Sequence, residues 1–342
     1  MSTSSRAEAA SALPRPVRVL VVGEALVDIL VPAGQAGGAS SGHGASSAQP
    51  SSPVEHVGGS PANVAAGLGR LDHPVDLSTC LGDDARGARI HAHLEARGVT
   101  VTADSTAPGG TSTATATIGS DGAATYTFAL RWEPGETAPG PEHTHVHTGS
   151  LATVIAPGDA QVLAGLRAAR DAGVSISYDP NIRPTLSPDV AVTRARVEEV
   201  VALADVVKAS DEDIAYLYPD EDVTRAVILD RAITRWLDLG AGLVVVTEGP
   251  DGVRWRTSAD RDSTPRLPPA GHTVVDTVGA GDSFMAGLVS GLLDAGWLGQ
   301  GTAAALRSAT SEDVRDSIER GLATSAVTVA HTGAYSPTRA EL

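Results

Sequence analysis

The feature that most constrains this chain is a repeated alternation of short apolar runs with helical patterns. "VDLSTCLG" is followed by "ARIHAHLEARGV", and "THVHTGSLA" by "DAQVLAGLRAARDAGV". "SISYDPN" then precedes "VTRARVEEVVALA", and "DVVKAS" precedes "DEDIAYLY". Such a rhythm specifies a mostly parallel sheet with helices on both faces, because each strand is apolar all round and each helix has one apolar stripe. "VRVLVVGEALVDILV" opens the series as a first buried strand, and "GLVVVTEGPDGV" is the last run before the loop "DTVGAGDSF".

Two segments break the rhythm. "TSTATATIGSDGAATYTFAL" alternates around a Gly-Ser-Asp-Gly turn and reads as a β-hairpin. With the residues around Asp28 it is expected to form a small sheet over the main domain, with strands from about 25–57 and 110–131. Between them, "PAGQAGGASSGHGASSAQPSSP" is too poor in apolar area to order itself and predicts a flexible insertion at about 33–53. Residues 1–16 read as a disordered tail, and 17–338 as a single domain.

The 342 residues are 42% hydrophobic, enough for a sizeable core, which with 3% aromatics is built from Val, Leu, Ile and Ala. A formal charge of −16 without a basic run argues against nucleic-acid or anionic-membrane partners. An acidic chain that binds an anion must use backbone amides, single basic side chains or a metal. Cys80 is the only cysteine, which excludes an internal disulfide and a cysteine-based zinc site. No apolar run approaches the roughly 20 residues of a membrane span, and the first residues lack a signal-peptide core. The expected location is therefore the cytoplasm. Lys208 is the only lysine.

Ligands of parallel α/β sheets bind beyond the carboxyl ends of the strands. Asp28, Gly58-Gly59 with Asn63, and residues 179–183, 208–213, 247–252 and 276–282 all fall at such ends. There is no Gly-x-x-x-x-Gly-Lys-Ser/Thr loop, no Gly-x-Gly-x-x-Gly after the first strand and no Gly-x-Ser-x-Gly elbow. In "DTVGAGDSF", the small residues Gly279, Ala280 and Gly281 lead into a helix marked by Phe284, Leu288 and Leu292. Bare N–H groups at a helix start attract an anion. Asp282 is then either a helix cap or a base beside that anion. His143, His145 and His147 alternate along one strand; a zinc site on that face and a plain core strand are both open readings.

"GGSPANVAAGLGRL" and "DTVGAGDSFMAG" resemble the two signatures of the ribokinase-like (PfkB-type) sugar kinases, with likeness from about Val17 to Tyr335. "VVGEALVDIL", "HVHTGSLA", "SYDPNIRP" and "ADVVKASDEDI" are similar to the bacterial fructokinase branch. The resemblance implies a three-layer α/β/α fold with a mostly parallel central sheet and a small β-sheet lid. It also implies ATP-dependent transfer of the γ-phosphate to a primary hydroxyl of fructose. Asp282 would be the general base, and the amides of Gly279, Ala280 and Gly281 the anion hole, with small residues so that the phosphoryl group can approach. Asp28, Gly58, Gly59 and Asn63 would line the sugar site, with Phe128 a lid contact and Arg183 pointing in to hold a phosphate or a substrate carboxylate. Lys208, Ser210, Thr247, Gly249 and Gly252 would serve the nucleotide. Asp213 would act through water on Mg²⁺; many relatives carry Asn and Glu where this chain has Ser210 and Asp213. Asp276 would help to hold a monovalent cation, usually K⁺, although His331 stands where some relatives have a basic residue. Sugar and ATP are the implied partners, to a monomer or a homodimer. The alternatives are 2-keto-3-deoxygluconate kinase, another ketose or nucleoside kinase, or a non-catalytic relative, which would be expected to lack Asp282 or the small tripeptide.

Overall fold

The structure, a computed structural model, describes residues 16–32, 52–118, 124–187, 189–271 and 273–342. The tail expected at 1–16 and the insertion expected at about 33–53 lie almost wholly outside the described residues, as does the hairpin turn at 119–123.

The strands in chain order are β1 (Val19–Val22), β2 (Leu26–Val31), β3 (Val54–Gly58), β4 (Val75–Ser78) and β5 (Leu81–Gly82). There follow β6 (Val99–Val101), β7 (Thr106–Ala107), β8 (Thr113–Ile118), β9 (Ala124–Ala129) and β10 (His145–Gly149). The last are β11 (Ser175–Asp179), β12 (Val206–Ser210), β13 (Leu243–Thr247), β14 (Val253–Thr257) and β15 (Arg266–Leu267). The helices are α1 (Ser60–Arg70), α2 (Ala85–Glu95), α3 (Gly158–Asp171), α4 (Val190–Val201) and α5 (Asp211–Leu217). α6 (Arg225–Leu239), α7 (Ala280–Asp294), α8 (Ala303–Ser308) and α9 (Arg315–Val329) complete them.

The main sheet has the order β15-β14-β13-β12-β11-β10-β1-β4-β6. It is parallel from β6 to β13, and β14 and β15 are added antiparallel. Alternation sends Val19 and Val21 of β1 to one face, with α1, α2, α7 and α9, and Leu20 and Val22 to the other, with α3, α4, α5 and α6. Strands buried on both faces are why the runs read as continuously apolar.

One patch of the α7-side face is polar. His145 Nδ1 and Nε2 lie 2.8 and 2.9 Å from Ser175 Oγ and Ser177 Oγ, and His147 Nδ1 lies 2.9 Å from Ser177 Oγ. Burial pushes both imidazoles down to about 3, so they are neutral. His143 stands before β10 and is committed elsewhere: its Nδ1 accepts from the Gly140 amide and its Nε2 is 2.8 Å from Asp76 Oδ2. Among the described residues, Asp76, Glu142 and His143 form the one cluster spaced for a metal, but Arg18 grips both Asp76 oxygens at 2.5 Å. The zinc reading is therefore set aside in favour of a core strand whose histidines are satisfied by serines.

The second sheet has the order β3-β2-β8-β9. Its register sets His56, Asp28, Ala114 and Phe128 opposite one another in one row, hence on one face.

Candidate active site

Asp282 is the third residue of α7, and the helix start is set by Gly279 at φ 75°, a left-handed conformation that favours glycine. The carboxylate is 8% exposed and is held by three donors from distant parts of the chain. Ser60 Oγ donates to Oδ1 at 2.7 Å, Asn63 Nδ2 to Oδ2 at 2.8 Å, and Asn181 Nδ2 to Oδ1 at 3.5 Å. Ser60 and Asn63 both lie in the first turn of α1, which Gly59 opens at φ 103°; a Cβ there would be 2.5 Å from the Glu24 carbonyl oxygen. The tight turn thus delivers two donors to one carboxylate.

The three small residues before Asp282 are not equivalent. Among the described residues the amides of Gly279 and Gly281 have no hydrogen-bond acceptor, whereas the Ala280 amide donates to Thr277 O at 3.2 Å. The left-handed turn at Gly279 points the Ala280 amide back into the loop, which departs from the three-amide anion hole expected above. The reason for smallness also differs. A Cβ on Gly279 would be 2.6 Å from Ala334 Cβ, and one on Gly281 would be 3.1 Å from Lys208 Nζ. Gly281 is bare so that an ammonium can lie beneath it.

A cavity of about 280 Å³ opens here, lined by Gly281, Lys208, Ser210, Asp213 and Thr247, with Asn181 and Arg183 opposite. Lys208 is buried in an ion pair with Asp179, Nζ to Oδ2 2.9 Å. Burial pulls the ammonium pKa down, but Asp179, Asp213 and Asp282 outweigh it and the net direction is up. Burial pushes Asp179 up against the pull of Lys208. Ser210 caps α5 in a capping box: its Oγ accepts from the Asp213 amide at 3.0 Å, and Asp213 Oδ2 accepts from the Ser210 amide at 2.8 Å. Asp213 Oδ1 takes the Ile182 amide at 2.7 Å. The acidic helix start is thus a structural cap as well as a cavity wall. Gly249 and Gly252 lie past Thr247 in the β13–β14 turn, outside the cavity lining.

Of the residues expected for a sugar, Arg183 lines this cavity, whereas Asp28, Gly58, Gly59, Asn63 and Phe128 lie outside its lining. A Cβ on Gly58 would fall on Asp28 Oδ2, so this glycine makes room for that carboxylate. Asp28 is reached by solvent, yet enough protein surrounds it that lost hydration pushes its pKa up, against Arg183 and His56. Arg183 Nη1 donates to Asn181 Oδ1 at 2.6 Å, and Asn181 holds φ 35°, a left-handed value that asparagine tolerates. Asn181 therefore joins Arg183 to Asp282. Asp276 lies apart from the cavity lining, its oxygens accepting from Val278 N at 3.0 Å and Gly333 N at 2.8 Å. These bonds hold its pKa below the usual carboxylate range. His331 stacks on Tyr335 with ring centroids 4.0 Å apart.

Four participants have partners that the sequence does not announce. Asp179 and Asn181 fall in the strand-end stretch 179–183 singled out by position, but their partners are not readable there, and Ser60 is an ordinary helix-start residue until folding brings it to Asp282. Glu24 is the fourth: it is 7% exposed, and Oε2 has no partner among the described residues. Burial pushes its pKa up to about 7, against a hydrogen bond from Ser150 and the charge of Arg183.

A carboxylate fixed at a helix start, unbonded amides beside it and a cavity walled by a buried lysine are thus brought together at one end of the sheet. The family described as pfkB family carbohydrate kinase matches residues 18–341, and the chain belongs to that family. A fructokinase of Klebsiella pneumoniae is 32% identical over 282 residues, covering 80% of this chain and 84% of the relative. The fold is similar to a crystal structure of Xylella fastidiosa fructokinase with bound ATP, with TM-score 0.75 and 24% identity over 95% of this chain and 96% of that one. It is also similar to Vibrio cholerae O395 fructokinase in a fructose, ADP and calcium ion bound form, with TM-score 0.71, 24% identity and coverage of 95% and 97%. Among the described residues no helix is long and apolar enough to cross a membrane.

Proposed function

We propose that this chain is an ATP-dependent fructokinase that phosphorylates a primary hydroxyl of fructose. The observation that carries the reading is Asp282, aimed by Ser60 and Asn63 and one residue beyond the unbonded amide of Gly281. Asp282 takes the hydroxyl proton as the sugar oxygen attacks the γ-phosphorus, a contribution of roughly 10²–10⁴-fold. The Gly279 and Gly281 amides and the Lys208 ammonium meet the oxygens of the phosphoryl group in flight. The nucleotide lies along Ser210 and Thr247, with its phosphates toward Lys208.

Mg²⁺ fits beside Asp213. That carboxylate has lone pairs beyond the three hydrogen bonds it accepts, and Mg²⁺ keeps several waters and needs few protein oxygens. Bound there, the ion would offset phosphate charge. The lid face that carries Asp28 and Phe128 closes over the sugar and keeps water from the transfer. The fructokinases among its relatives support fructose as acceptor. Arg183 supports a second reading, because a guanidinium at the cavity wall suits a carboxylate-bearing acceptor such as 2-keto-3-deoxygluconate.

A coupled ADP-release assay over a sugar panel decides between them. Turnover with fructose is expected; turnover confined to the keto-deoxy acid overturns the first choice. Asp282→Asn is expected to lower kcat by about 10²–10⁴-fold with ADP affinity unchanged. An unaltered kcat removes Asp282 from the role of base.

A further inference from the structure

Lys208 is the only lysine of the chain, yet it is 4% exposed, at a depth where lysine is rare unless paired. Its partner Asp179 is 0% exposed, and Asp179 Oδ1 has no partner among the described residues. The two occupy neighbouring strands, Asp179 at the carboxyl end of β11 and Lys208 within β12, on the sheet face beneath α7. Lys208 lines the cavity and Asp179 stands behind it. An ammonium has three N–H donors. Among the described residues Lys208 gives one to Asp179 and has no other acceptor, so two remain for the cavity.

The surroundings explain why a carboxylate is needed there. A buried ammonium without a partner sheds its proton. The other charged or titratable groups facing Lys208 are Asp213 from α5, Asp282 from α7 and the neutral His147 from β10. Of the three carboxylates only Asp179 touches the ammonium, and Asp213 and Asp282 are spoken for by the hydrogen bonds given above. A lysine side chain is otherwise flexible, with four rotatable carbons. Gly281, which lines the cavity and whose amide has no acceptor among the described residues, leaves Nζ room beneath it.

We infer that Asp179 is a positioning residue for phosphoryl transfer: its carboxylate fixes the Lys208 ammonium beneath the Gly281 amide, where the cation meets the phosphoryl group in the transition state. The inference rests on the kinase reading above. In the transfer step the bond from the sugar oxygen to the γ-phosphorus forms while the bond from that phosphorus to the β,γ-bridging oxygen breaks. The hydroxyl proton passes to Asp282, and ADP leaves with the bridging oxygen. Lys208 keeps its proton throughout and acts by charge. Because the charge is fixed against the loop, its contribution grows as the phosphoryl group crosses, which raises kcat more than ground-state affinity.

The test uses the full chain with Asp179→Asn, Lys208→Met and the double variant. Two readings are taken: sugar kinetics, and binding of ADP against ADP with aluminium fluoride and fructose, a mimic of the transition state. Asp179→Asn is expected to lower kcat by about 10–10²-fold and to weaken the mimic to match, with ADP affinity and both KM values within about threefold. The double variant is expected to be no slower than Lys208→Met alone, since both act through one ammonium. It carries no unpaired buried charge, so it also reports on Asp179 if the single Asp179→Asn chain does not fold. Wild-type kcat in Asp179→Asn or in the double variant overturns the inference. So does a loss confined to KM, or independent losses that multiply. A wild-type chain that binds ADP and turns over sugar while Asp179→Asn matches it sinks this inference alone. A wild-type chain that binds no ADP and turns over no sugar brings down the kinase reading, and this inference with it.

Discussion

In the proposed mechanism the carboxylate that takes a proton from the sugar hydroxyl must be aimed, and Asp282 is held by side chains more than a hundred residues away in sequence. Ser60 donates the shortest of these hydrogen bonds, at 2.7 Å. A hydrogen bond to a charged group is worth roughly 1.5–3 kcal/mol, and part of that is realised as orientation. Ser60→Ala is therefore expected to lower kcat by about 10-fold while both KM values stay near wild type. An unchanged kcat would leave Ser60 as only a helix-start residue. Asp282 was legible because its residue type and its place after a small-residue loop are unusual together. Ser60 was not, because serine at the start of a helix is ordinary. Its role exists only once α1 and α7 meet, 222 positions apart.

α7 has to hold its first turn steady, and it does so by close approach to both neighbours. A Cβ on Gly67 of α1 would be 2.6 Å from Ala286 Cβ, and one on Gly291 would be 2.7 Å from Ser317 Cα of α9. Thr324 and Thr328 of α9 add hydrogen bonds to Ser283 O at 2.8 Å and Ser283 Oγ at 2.7 Å. The Phe284, Leu288 and Leu292 spacing announced the helix, but nothing in it marks Gly67 or Gly291 as points of contact. That they are contact surfaces depends on partners the local pattern does not contain. Gly291→Val is expected to destabilise by about 1–3 kcal/mol, because the obstacle is backbone rather than a side-chain tip. Thermal unfolding checks this against Gly110→Ala, where a Cβ meets nothing within 4 Å and no shift is expected. Equal melting temperatures for the two would show that the α7–α9 contact has slack.

At the scale of the whole molecule, the βα alternation made a parallel sheet legible, but not that β1 lies between β10 and β4 or that β14 and β15 close one edge antiparallel. Pairing partners are chosen across long sequence separations, and every run here is apolar enough to pair with any other. The same folding buries titratable groups whose effects oppose one another. His145 and His147 sit at about 3 in the fold, below the ordinary histidine value. Their stabilising contribution is complete above about 6.5 and is lost as pH falls, because only the unfolded chain takes up the two protons. Glu24 has the opposite sign. Its folded value of about 7 lies above the ordinary carboxyl value, so its contribution is present below about 4.5 and is lost as pH rises through 7. Between pH 5 and 6 one proton on Glu24 offsets about half of the slope that the two histidines impose. Glu24→Gln removes that offset and keeps the shape of the neutral acid. Relative to wild type, the variant is expected to gain stability with rising pH, by roughly 2–3 kcal/mol between pH 5 and 8. Urea unfolding of both proteins across that range reads the difference directly, with contributions from all other groups cancelling. A difference that does not change with pH would show that Glu24 ionises as an exposed carboxyl does, and that the space around its unpartnered oxygen is open to water.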